Sequence, residues 1–567
     1  MNIRPLKPMN QNQSQRNQVH NLIIECGERI AAGLVRRGIT TCSRWAEQYR
    51  IMGQPLPGPF GFKYHPWCRE MHDYTGDMVG QKGAQLGFTE TALNKVFFAI
   101  DVKGISVLYI LPASAPDASD FSTSRFDPAL ESSPHLRSLF SDVKNIGHKR
   151  AGHANLFIRG SRSRSQLKSI PVGLIIADEV DEMVQENLPL AFERMSGQME
   201  TQKFLLSTPT LDGFGINAHY RNSTQEEFFF RCPACSRLTR LIFPECLVIT
   251  ADDPNDPAIE GTHIICKECK AILPNKGKVD WLKNSEWVPA KKQMPLRGFQ
   301  VSQLYSMVEA VAPPKLAQSY LKSLTNADDE QEFFNSKLGL THMVKGARLT
   351  DEDIIACIGD YIMADRGKGF VTMGVDIGTY LHYEIDQWQI PQDYQTPDIN
   401  LLARPRVLRV GKLDDFHQIH HLMKRFSIRF CVIDAQPERR KAFEVAEVYG
   451  GRVKLCFYGR GIQGKTINVH TETEQTITVD RTSWLDLALG RFLRQHISLP
   501  RDIPLDYREH LKALIRVYKK DKDGNPIGRY VKTENDLDHY AHARNYAEIA
   551  LPLGLSLGKS QNIRSAP

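Results

Sequence analysis

The chain has 567 residues, too many for one hydrophobic core, and its length suggests about three or four domains. Apolar residues make up 41% of it and charged residues 24%, which excludes a largely disordered chain, and a formal charge of +7 permits a polyanionic partner. Apolar runs stay short of about 18 residues, and the opening MNIRPLKPMNQNQSQRNQ lacks an apolar signal core. We therefore expect an intracellular protein that does not enter a membrane.

Composition divides the chain into six segments. The opening is rich in Asn, Gln and Arg, and VHNLIIECGERIAAGLVRRG follows with helical periodicity, which indicates an arm rather than a core. Runs such as ISVLYILP and GLIIADE then alternate with helical stretches, as in an α/β domain, and a second such series begins at GFVTMGVDIG. The predicted segments are an arm (1–50), an α/β domain (51–225), a cysteine-rich insertion (226–295), a helical connector (296–365), a second α/β domain (366–550) and a flexible tail (551–567).

The first α/β domain opens with a glycine-containing turn, GQKGAQLGFTET, at residues 80–91. The familiar phosphate-binding loop has its lysine just before a Ser or Thr, whereas here Lys82 stands at the front. Backbone N–H groups at a helix start bind anions in either case, and a long lysine can reach the same phosphates from the other end of the loop. Such a turn is more often structural than functional, so a nucleotide site needs support from other motifs. The candidate residues are Lys82, Gly83, Ala84, Gln85, Leu86, Gly87, Phe88 and Thr89.

Two later strand ends supply that support. GLIIADEVDEM has the pattern of an apolar strand ending in Asp178 and Glu179, which suits one carboxylate to hold Mg²⁺ and the next to orient an attacking water. The strand KFLLSTPT ends in the hydroxyls of Ser207, Thr208 and Thr210, which are suited to sensing a γ-phosphate. Three strand ends in this order favour an ATPase over a chance acidic turn.

The cysteine-rich insertion contains two Cys-x-x-Cys pairs. The chain has eleven cysteines and no secretion signal, so metal ligands and buried thiols are expected rather than a disulfide framework. Two pairs of thiolates supply the four soft ligands of a tetrahedral zinc site, and four cysteines leave no open position, so the predicted role is structural. Cys246 lies between the pairs in the sequence and is not predicted to bind the metal. The predicted ligands are Cys232, Cys235, Cys266 and Cys269.

The second α/β series carries an acidic constellation. FVTMGVDIG brings Asp376 to a strand end, FCVIDAQPE does the same for Asp434, and ENDLDHYAHARNYA puts Asp538 on a helix with His542 one turn along. Each aspartate alone is more often a turn or cap residue. Together, such carboxylates can hold two divalent ions about 4 Å apart and promote phosphodiester cleavage. Asp536, Asp480 and Glu438 remain possible substitutes.

From about residue 45 to 550, these motifs resemble those of the large terminase subunit of tailed bacteriophages, in its gpA-type group. A front-lysine loop K-x-A-x-x-G-x-[ST] is typical of that group and matches Lys82 to Thr89. LYILPASAPDASDFSTSRFDPAL and RGSRSRSQLKSIPVGLIIADEVDE resemble the segments that follow the loop and precede the acidic pair. The chain departs at Glu90, where some members have a second lysine, so compensation of phosphate charge falls on Lys82 and an arginine. The candidate arginines are Arg125, Arg162 and Arg164.

The resemblance implies a multidomain α/β protein: a P-loop ATPase of the ASCE type at 51–225, a zinc-ribbon insertion at 226–295, and an RNase H-like nuclease at 366–550. Its implied function is ATP-driven translocation of viral DNA into procapsids, with metal-dependent endonucleolytic cutting of concatemeric DNA. Lys82 and its loop would grip the phosphates of ATP, Thr89 and Asp178 would hold Mg²⁺, and Glu179 would position water. The implied nuclease ligands for Mg²⁺ or Mn²⁺ are Asp376, Asp434 and Asp538.

The same resemblance implies partners and a location. The expected partners are double-stranded DNA, a small terminase subunit that would contact the arm, the portal of a procapsid, and further copies of the chain assembled on that portal. We expect the protein in the host cytoplasm and not as a stable virion component.

Three other functions remain open at this stage. A helicase or translocase would explain the ATPase motifs but not the acidic constellation, and a non-enzymatic zinc-ribbon DNA adaptor would explain the unusual loop and Glu90. GVDIGT also resembles the phosphate turn of sugar kinases, but no second kinase-like phosphate loop follows it.

Overall fold

The structure, a computed structural model, describes residues 24, 39–54, 57–140, 143–168, 170–392, 399–459, 464–470, 475–520, 526–533 and 536–564. It divides into two compact units, an N-terminal unit (Met1–His342) and a C-terminal unit (Met343–Pro567). Most of the predicted arm lies outside the described residues, as do the last three residues of the predicted tail. Among the described helices, none is both long and apolar enough to cross a membrane.

The N-terminal unit is built on one mixed sheet, preceded by a two-residue pair, β1 (Ile51–Met52) with β2 (Gly58–Pro59). In the described residues the sheet has eleven strands, and ten of them follow the order β11-β10-β16-β3-β9-β8-β4-β7-β6-β5, with β15 paired to β10. These strands are β3 (Met78–Lys82), β4 (Val107–Leu111), β5 (Val143–Asn145), β6 (His148–Ala151), β7 (Ala154–Gly160), β8 (Leu174–Asp178), β9 (Gln202–Ser207), β10 (Glu226–Arg231), β11 (Leu238–Thr239), β15 (Glu286–Pro289) and β16 (Arg297–Val301).

The centre of this sheet is parallel and buried on both faces. Strands β16, β3, β9, β8, β4 and β7 all run in one direction. Every residue of β3, β4 and β8 is buried, which explains why β4 and the first four residues of β8 are continuous apolar runs rather than alternating ones, while β3 ends in the buried polar residues Gln81 and Lys82. Strand β9 lies between β3, which leads into the glycine turn, and β8, which ends in the acidic pair. The carboxyl ends of all three strands therefore meet at one edge.

Short helices cover the sheet and the segments around it. The helix after the glycine turn is the longest of them, and eleven of its fourteen side chains are buried, so it belongs to the core. The helices of the N-terminal unit are α1 (Cys42–Tyr49), α2 (Cys68–Asp73), α3 (Phe88–Asp101), α4 (Ser119–Phe121), α5 (Asp127–Ser132), α6 (Pro134–Leu139), α7 (Leu188–Phe192), α8 (Gly215–Arg221), α9 (Lys278–Trp281), α10 (Pro313–Ser323) and α11 (Ala327–Glu332).

Two predicted segments contribute strands to the central sheet. Strand β16, within the predicted helical connector, pairs with β3 along its whole length, from Arg297 opposite Met78 to Val301 opposite Lys82. Strands β10 and β15, within the predicted cysteine-rich insertion, extend the sheet beyond β16. The chain segment between β10 and β15 forms a small separate sheet of three strands, β12 (Leu247–Val248), β13 (His263–Ile265) and β14 (Ile272–Leu273).

The C-terminal unit contains a second mixed sheet. In the described residues its seven strands follow the order β19-β18-β17-β20-β21-β23-β22. Neighbours β17, β18 and β19 are antiparallel, whereas β17, β20, β21 and β23 run parallel. The strands of this unit are β17 (Phe370–Ile377), β18 (Leu381–Gln389), β19 (Arg404–Leu413), β20 (Phe430–Asp434), β21 (Val453–Tyr458), β22 (Ile467–Val469) and β23 (Thr476–Val479), with a hairpin of β24 (Ile515–Lys520) and β25 (Pro526–Val531).

A long final helix packs directly on strand β17. A Cβ atom at Gly374 would lie only 2.0 Å from the carbonyl oxygen of Ala543 and 2.3 Å from the backbone nitrogen of Ala547, so this approach requires glycine. The helix continues past Ala550, where the second domain was predicted to end, and Leu551 is buried. The helices of this unit are α12 (Asp351–Ile355), α13 (Ile399–Leu402), α14 (His417–Arg425), α15 (Arg439–Val448), α16 (Arg481–Leu493), α17 (Leu505–Lys512) and α18 (His539–Arg564).

Candidate active sites and metal centre

The glycine turn joins β3 to α3 in a bent loop. Gln85 has φ 58° and Gly87 has φ 82°, and the helix begins immediately afterwards at Phe88. The indole N–H of Trp67 donates to the carbonyl of Leu86 at 2.7 Å and fixes the middle of the loop. Because the first N–H groups of a helix have no partner within it, the start of α3 offers donors to an anion.

Lys82, at the end of β3, faces the acidic pair at the end of β8. Its Nζ atom lies 3.7 Å from Oε1 of Glu179, and its side chain is almost fully buried. Glu179 has φ 66°, and its side chain remains 41% exposed, so it faces the open side of the site. The predicted lysine and the predicted water-orienting carboxylate are thus neighbours.

Asp178 is buried beside two hydroxyl groups. The hydroxyl of Tyr109 donates to Oδ2 at 2.7 Å, and the side chain of Thr89 lies near enough to lower the pKa of the carboxyl. Its other oxygen, Oδ1, is buried with no hydrogen-bond partner. Burial and the charge of Glu179 raise the pKa of Asp178 to about 6, against the opposing effect of Lys82. An unpartnered buried carboxylate oxygen beside a threonine hydroxyl suits a hard cation such as Mg²⁺.

The hydroxyls after β9 are held by an aspartate that the sequence analysis did not single out. Thr210 donates to Oδ2 of Asp181 through both its N–H, at 2.7 Å, and its hydroxyl, at 2.5 Å. The N–H of Asp181 donates to the hydroxyl of Ser207 at 3.3 Å, and the N–H of Ile216 donates to Oδ1 at 2.7 Å. Of the three predicted phosphate sensors, Ser207 and Thr210 are therefore engaged by Asp181, and Thr208 is half-buried.

The departure at Glu90 is compensated from elsewhere in the chain. Arg50, just after α1, is 2% exposed and pairs with Glu90 at 2.8 Å, while its Nε donates to Asn94 at 2.7 Å. Glu90 therefore adds no unneutralised charge at the start of α3. The three candidate arginines are exposed: Arg125, Arg162 and Arg164.

The two cysteine pairs form matching turns. The N–H of Ser236 donates to the carbonyl of Cys232 at 2.8 Å, and that of Lys270 donates to the carbonyl of Cys266 at 3.0 Å. Ser236 and Lys270 have nearly the same positive φ, 59° and 61°. Equivalent turns aim both pairs at one point, where the sulfur atoms all lie within 4.8 Å of one another. The four residues of this group are Cys232, Cys235, Cys266 and Cys269.

The donor set fits zinc. The Sγ atoms of Cys232 and Cys269 are 3.8 Å apart, close to the separation of about 3.8 Å implied by tetrahedral Zn–S bonds of about 2.3 Å. Cys246 lies outside this group, and its Sγ atom is 3.6 Å from the carbonyl of Arg240.

In the C-terminal unit, Asp376 and Asp434 lie on adjacent parallel strands. Asp376 is near the end of β17 and Asp434 is the last residue of β20. Burial and the nearby charge of Asp376 raise the pKa of Asp434 to about 7. Two carboxylates that oppose each other's ionisation at one sheet edge would be stabilised by a shared cation.

Asp538 has cationic partners of its own. Its Oδ1 accepts from Nζ of Lys532 at 2.8 Å, and its Oδ2 lies 3.2 Å from Nε2 of His542. Although burial raises its pKa, His542 and Lys532 together hold the pKa of Asp538 well below its usual range. Among the described residues, the cysteine set is the one group of three or more Cys, His, Asp or Glu side chains whose ligand atoms are clustered tightly enough for one ion.

The structure also brings two histidines to Asp376 that the sequence analysis missed. The Nδ1 atom of His539 lies 2.8 Å from Oδ2 of Asp376. The ring of His539 stacks on that of His382, with centroids 4.6 Å apart. His382 is 4% exposed, and its Nδ1 atom is buried without a hydrogen-bond partner. The sequence offered one indication of this contact, since His539 directly follows the predicted metal ligand Asp538.

The three substitutes have local roles. Asp536 accepts a hydrogen bond from the hydroxyl of Thr533 within its own turn. Asp480 caps helix α16 by accepting from the N–H of Ser483 at 2.6 Å. Glu438 forms an exposed pair with Lys441 at 2.8 Å.

Comparison with known families identifies the N-terminal unit. Residues 54–287 match the sequence model of the family described as phage terminase large subunit gpA, ATPase domain. The matched segment contains the front-lysine loop, the acidic pair and all four clustered cysteines. These residues form a gpA-type terminase ATPase domain. The resemblance inferred from the sequence is confirmed, and the N-terminal unit carries a terminase ATPase domain.

The chain is also similar to several solved structures of phage terminases, at low sequence identity. The large terminase of bacteriophage HK97 is 9% identical, over 90% of this chain and 99% of its own, with a TM-score of 0.45. The large terminase ATPase domain of Thermus phage P74-26 is 13% identical, over 50% of this chain and 94% of its own, with a TM-score of 0.30. The large terminase nuclease of thermophilic phage G20c is 11% identical, over 33% of this chain and 92% of its own, with a TM-score of 0.20. No curated protein matches the chain.

Proposed function

We propose that the chain is a large terminase subunit that drives viral DNA into procapsids with ATP and cuts concatemeric DNA in a metal-dependent reaction. The observation that carries the proposal is the gpA-type match over residues 54–287, which includes a buried Lys82 placed 3.7 Å from Glu179. As domain limits we propose an arm (1–50), an ATPase domain (51–225), a zinc ribbon (226–295), a connector (296–365), a nuclease (366–550) and a tail (551–567).

In the ATPase domain, Lys82 and the loop through Thr89 would bind the phosphates of ATP. The buried side chain of Lys82 would place its ammonium group beside the phosphates, and the N–H groups at the start of α3 would donate further hydrogen bonds to them. Thr89 and Asp178 would hold Mg²⁺, which supplies charge neutralisation at the phosphates when bound. Glu179, half-exposed beside Lys82, would orient the attacking water. We also propose that one of three arginines helps to neutralise the charge of the phosphates: Arg125, Arg162 or Arg164.

In the C-terminal unit, Asp376, Asp434 and Asp538 would act as the ligands of an RNase H-like nuclease. Support comes from the strand order β19-β18-β17-β20-β21, with three antiparallel strands followed by parallel ones, and from the position of Asp376 and Asp434 at adjacent strand ends. Bound Mg²⁺ or Mn²⁺ would supply an activated water and stabilise the leaving oxygen. Asp538 would have to exchange its contacts with Lys532 and His542 for a metal.

The cysteine group would hold a structural zinc ion. The four thiolates are the donors that zinc prefers, and their two matching turns support a ribbon. The partners we propose are double-stranded DNA, a small terminase subunit, the portal of a procapsid and further copies of the chain, with the host cytoplasm as its location.

A plasmid-cutting assay with Mn²⁺, run beside an ATP hydrolysis assay on the same preparation, tests the proposal. Both activities are expected. ATP hydrolysis without cutting would favour a helicase or translocase instead, and the absence of both would favour a zinc-ribbon DNA adaptor.

A further inference from the structure

A small cavity of about 190 Å³ lies against helix α10 in the N-terminal unit, and none of the residues assigned to ATP lines it. Three of its lining side chains are lysines, Lys315, Lys322 and Lys337, and Gln318 and Ser319 add polar groups. The other lining residues are apolar, and no carboxylate lines the cavity. Its volume is large enough for a phosphate group.

The three lysines line one cavity and have no carboxylate partner among the described residues. Lys315 and Lys322 are seven residues apart on α10, so they lie on one face of the helix two turns apart. The nearest partner of Lys315 is the neutral Oε1 of Gln318 at 3.5 Å. Within the part of the chain that is described, none of the three forms an ion pair with a carboxylate. Three unpaired cations around one small cavity repel each other, and an anion would relieve that repulsion.

The third lysine belongs to the segment that holds the phosphate loop. Lys337 lies in a π-helical segment, Phe333–Leu338, a form of helix that often occurs at functional sites. The carbonyl of its neighbour Ser336 accepts the N–H of Ala84 in the loop at 2.6 Å. A Cβ atom at Gly339 would lie 2.5 Å from the backbone nitrogen of Gly83, so the two segments touch backbone to backbone.

Two side-chain hydrogen bonds add to this connection. The carbonyl of Gly339 accepts from the side chain of Gln81 at 2.9 Å, and that of Leu338 accepts from Gln300 at 3.0 Å. Gln81 is the residue before Lys82 on β3. A ligand that moved Lys337 would therefore act on the loop through the backbone hydrogen bond of Ser336 to Ala84 and the close approach of Gly339 to Gly83.

We propose that this three-lysine pocket binds a phosphate group supplied by the backbone of duplex DNA. The inference rests on the proposed function, since DNA is its ligand. Each lysine adds a favourable contact to a phosphate without reading base sequence, so the site contributes affinity rather than specificity. Because Ser336 joins the pocket to Ala84, DNA bound here alters the phosphate loop, and nucleotide bound in the loop alters DNA affinity by the same factor.

The test uses the full chain with both exposed lysines replaced, Lys315→Gln with Lys322→Gln. We expect affinity for a labelled duplex to fall roughly tenfold, and the slope of log affinity against log salt to become less negative by about 1, since one bound phosphate is lost. ATP hydrolysis without DNA should be unchanged. The matched control is Lys292→Gln, an exposed lysine of the same unit outside the pocket, and the charge-retaining pair Lys315→Arg with Lys322→Arg should bind DNA as the unaltered chain does.

The outcomes separate this inference from the proposed function. Unchanged DNA affinity and salt slope in the glutamine double variant would overturn the pocket while leaving the terminase proposal intact. Calorimetry with inorganic phosphate tests the other source of the same anion: phosphate binding that is lost in the double variant, with DNA binding retained, would overturn DNA as the ligand. If the unaltered chain binds no duplex, the proposed function fails as well.

Discussion

The imidazole of His539 lies 2.8 Å from the carboxylate of Asp376, at the start of the helix that crosses strand β17. The contact depends on Gly378, because a Cβ atom at that position would lie 2.5 Å from the ring of His539. Asp376 is thus oriented by a side chain 163 residues away, through a glycine that leaves room for it.

Replacing His539 should weaken metal binding at the proposed nuclease site. If Asp376 holds a divalent ion, His539→Ala should raise the Mn²⁺ concentration for half-maximal plasmid cutting about 10–100-fold, as is typical when a partner of a metal ligand is lost. His539→Gln, which can still hydrogen-bond, should recover part of the activity. His153→Ala, an exposed histidine of the N-terminal unit, is the control. Equal metal dependence in all four proteins would show that His539 does not orient Asp376.

The pH dependence of nucleotide binding should follow Asp178. Its pKa is raised to about 6, and Mg²⁺ requires the deprotonated carboxylate. The affinity for Mg–ATP should therefore be constant above pH 6 and fall about tenfold per pH unit below it. Folding stability of the unliganded protein should change in the opposite direction with pH. The contribution of protonated Asp178 to the free energy of unfolding is fully present below about pH 3.8 and is lost as the pH rises through about 6.

Equilibrium binding of a fluorescent ATP analogue with Mg²⁺ between pH 5 and 8 measures this dependence. Asp178→Asn should bind weakly at every pH and show no step near pH 6. A step of the same size in that variant would assign the titration to another group.

Loss of a single cysteine should release zinc. Thiolate coordination contributes on the order of 10 kcal/mol in small zinc domains, so Cys232→Ser or Cys266→Ser should destabilise the insertion and lower the yield of folded protein. Cys246→Ser should keep its metal, because this thiol lies outside the group. Elemental analysis is expected to find about one zinc per unaltered chain, and a value well below one would remove this site.

A buried ionic network should make Arg544 critical for stability. Arg544 is fully buried and pairs with Glu384, Asp386 and Glu548, while Arg491 pairs with Glu548 at 2.6 Å. Burial raises the pKa of Asp386 well above its usual range, against the lowering effect of Arg544.

Arg544→Met removes one partner and leaves buried carboxylates without compensation, which typically costs about 3–5 kcal/mol. Urea unfolding of the full chain, followed by a probe in the C-terminal unit, should show that loss. Arg494→Met, at an exposed position after α16, should change stability by less than about 0.5 kcal/mol. Similar midpoints for both variants would contradict a structural role for the network.

Sequence reasoning predicted the proximity of groups that lie in short local patterns. The cysteine turns and the strand ends at Lys82 and Asp178 depend on a few consecutive residues, and their spacing was sufficient to predict which groups meet. It also predicted the α/β character of both units, because buried parallel strands are continuous apolar runs.

The features that were missed come from contacts between distant segments. Strand β16 alternates polar and apolar residues, and nothing local indicates that it lies beside β3. The contact between Gln81 and Gly339 joins residues 258 positions apart. The pairing of Asp181 with Thr210 and of His539 with Asp376 likewise depends on how the chain folds back. The sequence contains these residues but does not indicate their partners.

The most direct test is whether each of the two activities can be removed by mutation without loss of the other, measured on the same preparations. Glu179→Gln should lower ATP turnover roughly a thousandfold or more while plasmid cutting with Mn²⁺ persists, because the role proposed for its carboxylate is at the ATP site. Asp376→Asn, and separately Asp434→Asn and Asp538→Asn, should abolish cutting while ATP hydrolysis persists. Loss of both activities in one variant that remains folded, or cutting retained in Asp376→Asn, would contradict the account of two separate catalytic sites in one chain.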